Sequence, residues 1–158
     1  MKLRMGDLLV RHGVLNEDQV QQALDVQQQS GRPFGLVCER LFGISPQAVE
    51  SAWSQQYAQI APRFDPALEP VDPDCLDMVT RRQAWQFRVL PVRFDDVELV
   101  LATAPDHLPR ALRFAHNVLA TPSCFVCCDV EMLGAALTRY YPMAGMNAAM
   151  LQVSSAAA

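Results

Sequence analysis

Mostly apolar side chains recur at helical spacing in two similar stretches near the start of the chain. Each stretch places four of them at positions i, i+3, i+4 and i+7, which share one face of a helix. They are Val20, Ala23, Leu24 and Gln27 in the first stretch, and Val49, Ala52, Trp53 and Gln56 in the second. A shorter helix is predicted before each, over 5–12 and 34–41, closed by Gly13 and Gly43. The repeated unit is therefore a short helix, a tight turn and a longer helix.

Residues with known preferences for helix ends delimit the two longer helices. Asn16 is followed three residues later by Gln19, which is a capping-box pattern. Ser45 takes the capping position of the second copy, and Pro46 takes its first helical position. Gly31 lies where the first long helix is expected to stop.

The rest of the chain mixes strand-like and helical runs. Pro91 indicates that the first strand lies at a sheet edge or carries a bulge. Asp95 and Asp96 separate the first two strand-like runs, so a hairpin is expected. The predicted elements are a helix from Asp72-Pro73 to about Trp85, strands over 87–94 and 97–104, a helix over 108–118, a cysteine-rich strand near 124–128, and a helix over 130–141.

These elements predict an α+β fold in two parts. Residues 1–59 form a four-helix subdomain of two tandem helical hairpins, and residues 74–142 form a small mixed α/β subdomain. Residues 60–73 contain four prolines and predict an extended connection between them. The tail over 143–158 has small residues and no charge, so we expect it to be flexible or to dock on a missing partner.

Charge and hydropathy exclude some classes of function. The formal net charge is −4, and neither residues 1–58 nor the remainder of the chain has the basic excess that DNA binding usually needs. A small dianionic ligand still fits, since it needs one or two placed cations. The sequence has no apolar run near 18 residues and no signal peptide, which predicts a cytoplasmic protein without direct membrane insertion.

Motifs of catalysis are absent from the sequence. It contains no P-loop, GxGxxG, GxSxG or HExxH pattern, so it is not expected to be an enzyme. The five cysteines are expected to be reduced thiols. The run "CFVCC" at 124–128 is typical of a short buried strand, and a zinc or redox site there is the alternative.

The two copies also agree at residues that are not typical of an apolar core. Gly6 corresponds to Gly35, and Gln27 corresponds to Gln56. A glycine within a helix costs about 1 kcal/mol relative to alanine, which indicates that something approaches the backbone closely. A glutamine amide can bind a polar group, whereas packing alone would favour leucine. Core packing without a ligand remains the alternative reading of the repeat.

The repeat resembles the MshEN domain, the cyclic-di-GMP-binding N-terminal domain of many type II secretion and type IV pilus assembly ATPases. That family's pattern is two motifs of the form RLGxxLxxxxxLxxxxLxxxLxxQ separated by five residues. The first copy here has Arg4, Met5, Gly6, Leu9, Leu15, Val20, Leu24 and Gln27 at the pattern positions. The second has Pro33, Phe34, Gly35, Cys38, Ile44, Val49, Trp53 and Gln56. The resemblance extends over about residues 3–141.

The resemblance implies roles for these residues in binding cyclic-di-GMP. Arg4 would contact a guanine or phosphate, Gly6 and Gly35 would admit close approach, and Gln27 and Gln56 would hydrogen-bond. Apolar contact would come from Met5, Leu9, Leu15, Leu24, Phe34 and Trp53. Pro33 stands where the second motif has arginine, and the neighbouring Arg32 is the candidate substitute.

The resemblance therefore implies a regulatory domain with cyclic-di-GMP as ligand and with no cofactor, metal or DNA. Its output would go to a protein partner or to an ATPase domain. The alternative is a ligand-free adapter of a secretion, pilus or polysaccharide-export system.

Overall fold

The computed structural model describes residues 5–11, 13–45 and 61–152, except for the side chains of Met5 and His116. Its helices are α1 Met5–Arg11, α2 Glu17–Ser30, α3 Phe34–Phe42, α4 Arg81–Phe87, α5 Leu108–Asn117 and α6 Val130–Tyr140. Its strands are β1 Leu90–Asp95, β2 Glu98–Thr103 and β3 Ser123–Cys127. Short 3₁₀ helices span Pro73–Met78, Pro105–His107 and Ala148–Gln152. The predicted second long helix lies outside the described residues, as do Arg4, Trp53 and Gln56.

The predicted end signals define the first helical unit. The Gln19 backbone N–H donates to Asn16 Oδ1 at 2.8 Å, and the Asn16 N–H donates to Gln19 Oε1 at 2.9 Å. This capping box satisfies two of the amide groups that a helix start leaves unpaired. Gly31 and Gly43 end α2 and α3 with φ of 68° and 67°, left-handed values that glycine adopts without strain.

Among the described residues, the sheet has three strands in the order β1-β2-β3. β1 and β2 are antiparallel and joined by a two-residue turn, since Asp95 pairs with Glu98. β2 and β3 are parallel, with α5 in the crossover between them. β1 is an edge strand with a register shift between Pro91 and Arg93, so both readings of that proline are confirmed.

The proline-rich connection runs beside the third strand. The Phe64 N–H donates to Cys127 O, and the Cys127 N–H donates to Pro62 O, both at 2.8 Å. The connection is therefore hydrogen-bonded to the sheet for a short distance, which its prolines did not indicate.

The prediction of one helix from Asp72-Pro73 to about Trp85 is wrong. The chain forms a 3₁₀ helix over Pro73–Met78, becomes extended at Val79 with φ −133°, and then starts α4. The break has a local cause, because Thr80 and Gln83 form a second capping box that begins a new helix.

The expectation of a flexible tail does not hold for residues 143–152. Residues 148–152 form a 3₁₀ helix, and Leu151 is 1% exposed. An ideal Cβ on Gly134 of α6 would lie 2.9 Å from the Cβ of Ala148, so the missing side chain lets this segment pack closely. The docked segment, residues 148–152, thus binds its own chain.

The buried apolar residues form one cluster that extends from the first helices to the sheet. It includes Leu8 and Leu9 of α1, Leu101 of β2 and Phe114 of α5. α3 packs against both α2 and α5, which joins the helical part to the α+β part. Within the described ranges, none of the helices has the length and apolar character that crossing a bilayer requires.

Candidate functional site

A cavity of about 720 Å³ lies between the first helices and the α+β part. One wall comes from α1, α2 and the start of α3. The opposite wall comes from the β1–β2 hairpin, from α5, and from residues 121–122 together with Ser123 at the start of β3. The cavity is therefore formed by segments that are distant in sequence.

Four of the predicted ligand-binding residues line this cavity. Gly6, Leu24 and Gln27 come from the first motif, and Phe34 comes from the second. Leu9, Leu15 and Gly35 are buried, and they are not among the residues that line it. Arg32 is exposed outside the cavity, and its backbone N–H donates to Ser30 Oγ at 3.3 Å. Met5 lies in α1, and its side chain is outside the described structure.

At Gly6, α1 and α2 approach each other closely. An ideal Cβ at this position would lie 2.5 Å from Val20 Cγ1, a distance that real Cβ atoms do not show. The close approach inferred from the sequence is thus made by a side chain of the neighbouring helix, while Gly6 also lines the cavity. The glycine sets the spacing of one cavity wall.

Gln27 connects the two walls. Its side chain is 2% exposed, and Nε2 donates to Ala120 O at 2.8 Å, 93 residues away in sequence. Its Oε1 is buried and has no hydrogen-bond partner in the described structure. An unmet buried acceptor costs about 1–3 kcal/mol. A donor group of a bound ligand would offset this cost.

The charges around the cavity are mostly acidic. The described lining contains the carboxylates of Asp7, Glu17, Asp25 and Glu98, together with the guanidinium of Arg11. Carboxylates accept hydrogen bonds from amide-like N–H groups, and a guanidinium binds phosphate. This lining suits a ligand with several N–H donors better than one that presents only negative charge.

The second wall was missed by the sequence reading. Val97 and Glu98 line the cavity from the hairpin, and Thr121, Pro122 and Ser123 line it from the loop before β3 and the first residue of that strand. Val97 is 68% exposed, an unusual position for a valine. In the sequence, the signal for this wall was an apolar residue, Val97, directly after the acidic pair at 95–96. The hairpin turn was a sufficient explanation for these residues, so no site was predicted there.

The cysteines are buried thiols. Burial raises the pKa of Cys127 to about 11 and that of Cys128 to about 12. It also raises the pKa of Cys38 to about 12. Thiols with such pKa values are protonated near neutral pH and react slowly. In the described part of the chain, no group of three or more His, Cys, Asp or Glu is placed to hold a metal ion.

Comparison with known proteins gives one family and several structures. The MshEN domain model matches residues 61–147, which is more than half of the chain and lies after the tandem motifs. A structure of MshE with cyclic-di-GMP is 26% identical, with a TM-score of 0.45, and covers 89% of this chain and 100% of that one. The N-terminal domain of XpsE is 19% identical, with a TM-score of 0.41, and covers 89% and 99%. No curated protein matches. On the family match, the chain belongs to the MshEN domain family.

Proposed function

We propose that this protein is a regulatory domain that binds cyclic-di-GMP and passes the state of the site to a partner protein or to an ATPase domain. One observation carries the proposal. Gly6, Leu24, Gln27 and Phe34, which the two motifs single out from the sequence alone, line a single cavity. Membership of the MshEN domain family supports it.

The dimensions and the lining of the cavity suit such a ligand. Its volume of about 720 Å³ is within the range of roughly 300–1,000 Å³ typical of small-molecule sites. Leu24, Val20 and Phe34 supply apolar surface for the bases and riboses. Gln27 Oε1 supplies an acceptor that has no partner in the described structure.

Guanine accounts for the acidic lining in this proposal. Its N1–H and N2–H₂ groups donate hydrogen bonds, and a carboxylate such as that of Asp25 or Glu98 can accept them. The two phosphates need cations, which Arg11 provides from within the lining. Arg4 and Arg32 are the further candidates from the sequence, as is stacking of a base on Phe34 or Trp53.

Isothermal titration of the purified chain with cyclic-di-GMP tests the proposal, with cyclic-di-AMP and GTP as comparison ligands. We expect saturable heat with cyclic-di-GMP, and a loss of about tenfold in affinity for Arg11→Ala. The matched control is Arg40→Ala, an exposed arginine of α3 outside the cavity lining. Arg4→Ala is expected to reduce affinity at least about tenfold with the apo melting temperature unchanged.

The adapter without a ligand is the second candidate. The described lining has four carboxylates and one guanidinium, a balance that disfavours a dianion. Absence of heat with all three nucleotides at high micromolar concentration would contradict the ligand proposal and support this alternative.

A further inference from the structure

A second charged region lies at the end of the sheet away from the hairpin. We infer that Arg82, Arg88 and Arg110, here called the arginine patch, form a docking surface for an acidic segment of another protein. This inference is independent of the proposed ligand, because none of the three residues lines the cavity.

The patch is built on the contact between α4 and α5. Phe87 and Phe114 stack with their ring centroids 5.0 Å apart, which fixes the two helices against each other. Arg88 Nη1 donates to Trp85 O at 2.6 Å, and Arg110 Nη1 donates to Gln86 O at 3.2 Å. Two guanidinium groups are therefore held at successive carbonyls at the end of α4.

Arg82 extends the patch along α4. It lies four residues before Gln86, so both are on the same face of the helix. Arg82 is exposed, and it makes no hydrogen bond or ion pair with the described residues. Neither α4 nor α5 contains an acidic residue, although the whole chain has a net charge of −4. The nearest acid in sequence is the exposed Asp106, four residues before Arg110.

The two bound guanidinium groups repel one another. Burial, together with the charge of Arg110, lowers the pKa of Arg88. Arg88 Nε is buried without an acceptor in the described structure, and the residue has a left-handed φ of 57°. Binding to the helix-end carbonyls explains part of this arrangement. These hydrogen bonds do not offset the repulsion between the guanidinium groups of Arg88 and Arg110, and an anion bound at the patch would reduce it.

The chemistry of the patch favours a carboxylate-bearing protein segment. Planar guanidinium groups fixed by backbone carbonyls suit bidentate contact with carboxylates. A membrane surface is less suited, because interfacial helices insert large apolar side chains and no large side chain of α4 or α5 is among the exposed hydrophobic ones. A nucleic acid is less suited, because its binding usually needs a broad basic surface, whereas the patch consists of three arginines on a chain of net charge −4.

Fluorescence anisotropy with a labelled oligoglutamate peptide tests the inference at low and high salt. We expect binding to weaken with salt, and to weaken at least about fivefold in Arg82→Glu and in Arg110→Glu. Arg93→Glu is the matched control, since it makes the same change in net charge at the hairpin end of the sheet, where Arg93 pairs with Asp95. Arg110→Lys is expected to retain part of the binding, because it keeps the positive charge. It should not retain all of it, because an ammonium group cannot make the bidentate contact of a guanidinium.

Several outcomes would overturn the inference. These are no binding by the wild type, equal weakening in all three glutamate variants, or tighter patch-dependent binding to anionic vesicles or to a single-stranded oligonucleotide. Salt-sensitive self-association would assign the patch to a second copy, whose Glu69, Asp72, Asp74 and Asp77 are exposed, and would also overturn it. If Arg110→Glu does not fold, Arg82→Glu decides the question.

Discussion

Strand β2 and helix α2 differ greatly in how the rest of the chain covers them. All six residues of β2 are buried, between an antiparallel and a parallel neighbour. Among the fourteen residues of α2, Ala23 and Gln27 are the buried ones. Burial of apolar surface is the main source of stability. The sheet is therefore expected to contribute most to the stability of the fold, and α2, which forms a cavity wall, is expected to contribute less.

The difference follows from the sequence of each element. Between Glu98 and Thr103, β2 has four consecutive apolar residues, as expected for a strand covered on both faces. α2 is rich in glutamine and presents one narrow apolar stripe. Changes in the sheet should therefore unfold the whole chain, whereas changes around α2 should have smaller effects that are concentrated at the cavity.

The largest effect is expected from Leu101→Ala in β2. Leu101 is fully buried, and truncating a buried leucine costs about 2–5 kcal/mol through lost burial and a residual cavity. Chemical denaturation followed by circular dichroism should show this loss in a single transition. Leu68→Ala is the control, since Leu68 is 82% exposed and should change stability by less than about 0.5 kcal/mol. A small effect for Leu101→Ala would contradict the central position of the sheet.

A smaller effect is expected from Gly6→Ala at the contact between α1 and α2. The added methyl group would meet Val20 Cγ1, and overpacking of this kind costs about 1–3 kcal/mol. Higher helix propensity of alanine offsets up to about 1 kcal/mol of this. The double variant with Val20→Ala should recover most of the loss, which a double-mutant cycle measures. Additive effects would show that the Val20 contact is not the cause.

Gln27→Leu should have a still smaller effect on stability and a larger one on the cavity. It removes the hydrogen bond to Ala120 O, worth about 0.5–1.5 kcal/mol, and it also removes the unpartnered Oε1. Denaturation should therefore show a loss of about 1 kcal/mol or less. Titration should show a loss of cyclic-di-GMP affinity that exceeds this change. Gln29→Leu is the control, since Gln29 is exposed and is not among the residues that line the cavity. If Gln27→Leu and the wild type bind cyclic-di-GMP with equal affinity, the role of Gln27 is limited to connecting the two walls of the cavity.

Local signals in the sequence predicted most of the fold. The Asn16–Gln19 box, Pro91 and the acid pair at 95–96 each act within a few residues, so their consequences could be inferred without knowledge of the tertiary structure. The Thr80–Gln83 box is equally local and ends the predicted helix 73–85. The prediction missed it because Asp72-Pro73 was used as the start of one continuous helix.

The cavity could be predicted only in part. The motif identified Gly6, Leu24, Gln27 and Phe34, since repetition draws attention to positions that packing alone does not explain. The opposite wall depends on contacts such as Gln27 with Ala120, 93 residues apart, and periodicity does not encode these. The packing of the docked segment was not predicted for the same reason, since it depends on a tertiary contact of Ala148 with Gly134 in α6.

The smallest effect is expected from the titration of His107, which belongs to the well-covered part of the fold. His107 Nε2 lies 2.6 Å from Leu151 O in the docked segment, and Nδ1 is buried without a partner. Burial is the main cause that lowers the pKa of His107 below its ordinary value near 6.5, and the charges of Arg88 and Arg110 lower it further. The hydrogen bond to Leu151 O and the charge of Asp106 oppose this lowering of the pKa, and the docked segment carries no charge.

The sign of the effect follows from proton linkage. As the pH falls below about 6.5, the unfolded chain binds a proton at this histidine that the folded chain does not bind, so the free energy of unfolding decreases. The contribution is complete above that pH and is lost towards the lower pKa of the folded state, with a slope of at most about 1.4 kcal/mol per pH unit. His107→Gln keeps a donor for Leu151 O and should flatten the dependence between about pH 5 and 7. Denaturation of both proteins across this range measures the difference. Parallel curves would mean that the dependence of stability on pH in this range arises from groups other than His107.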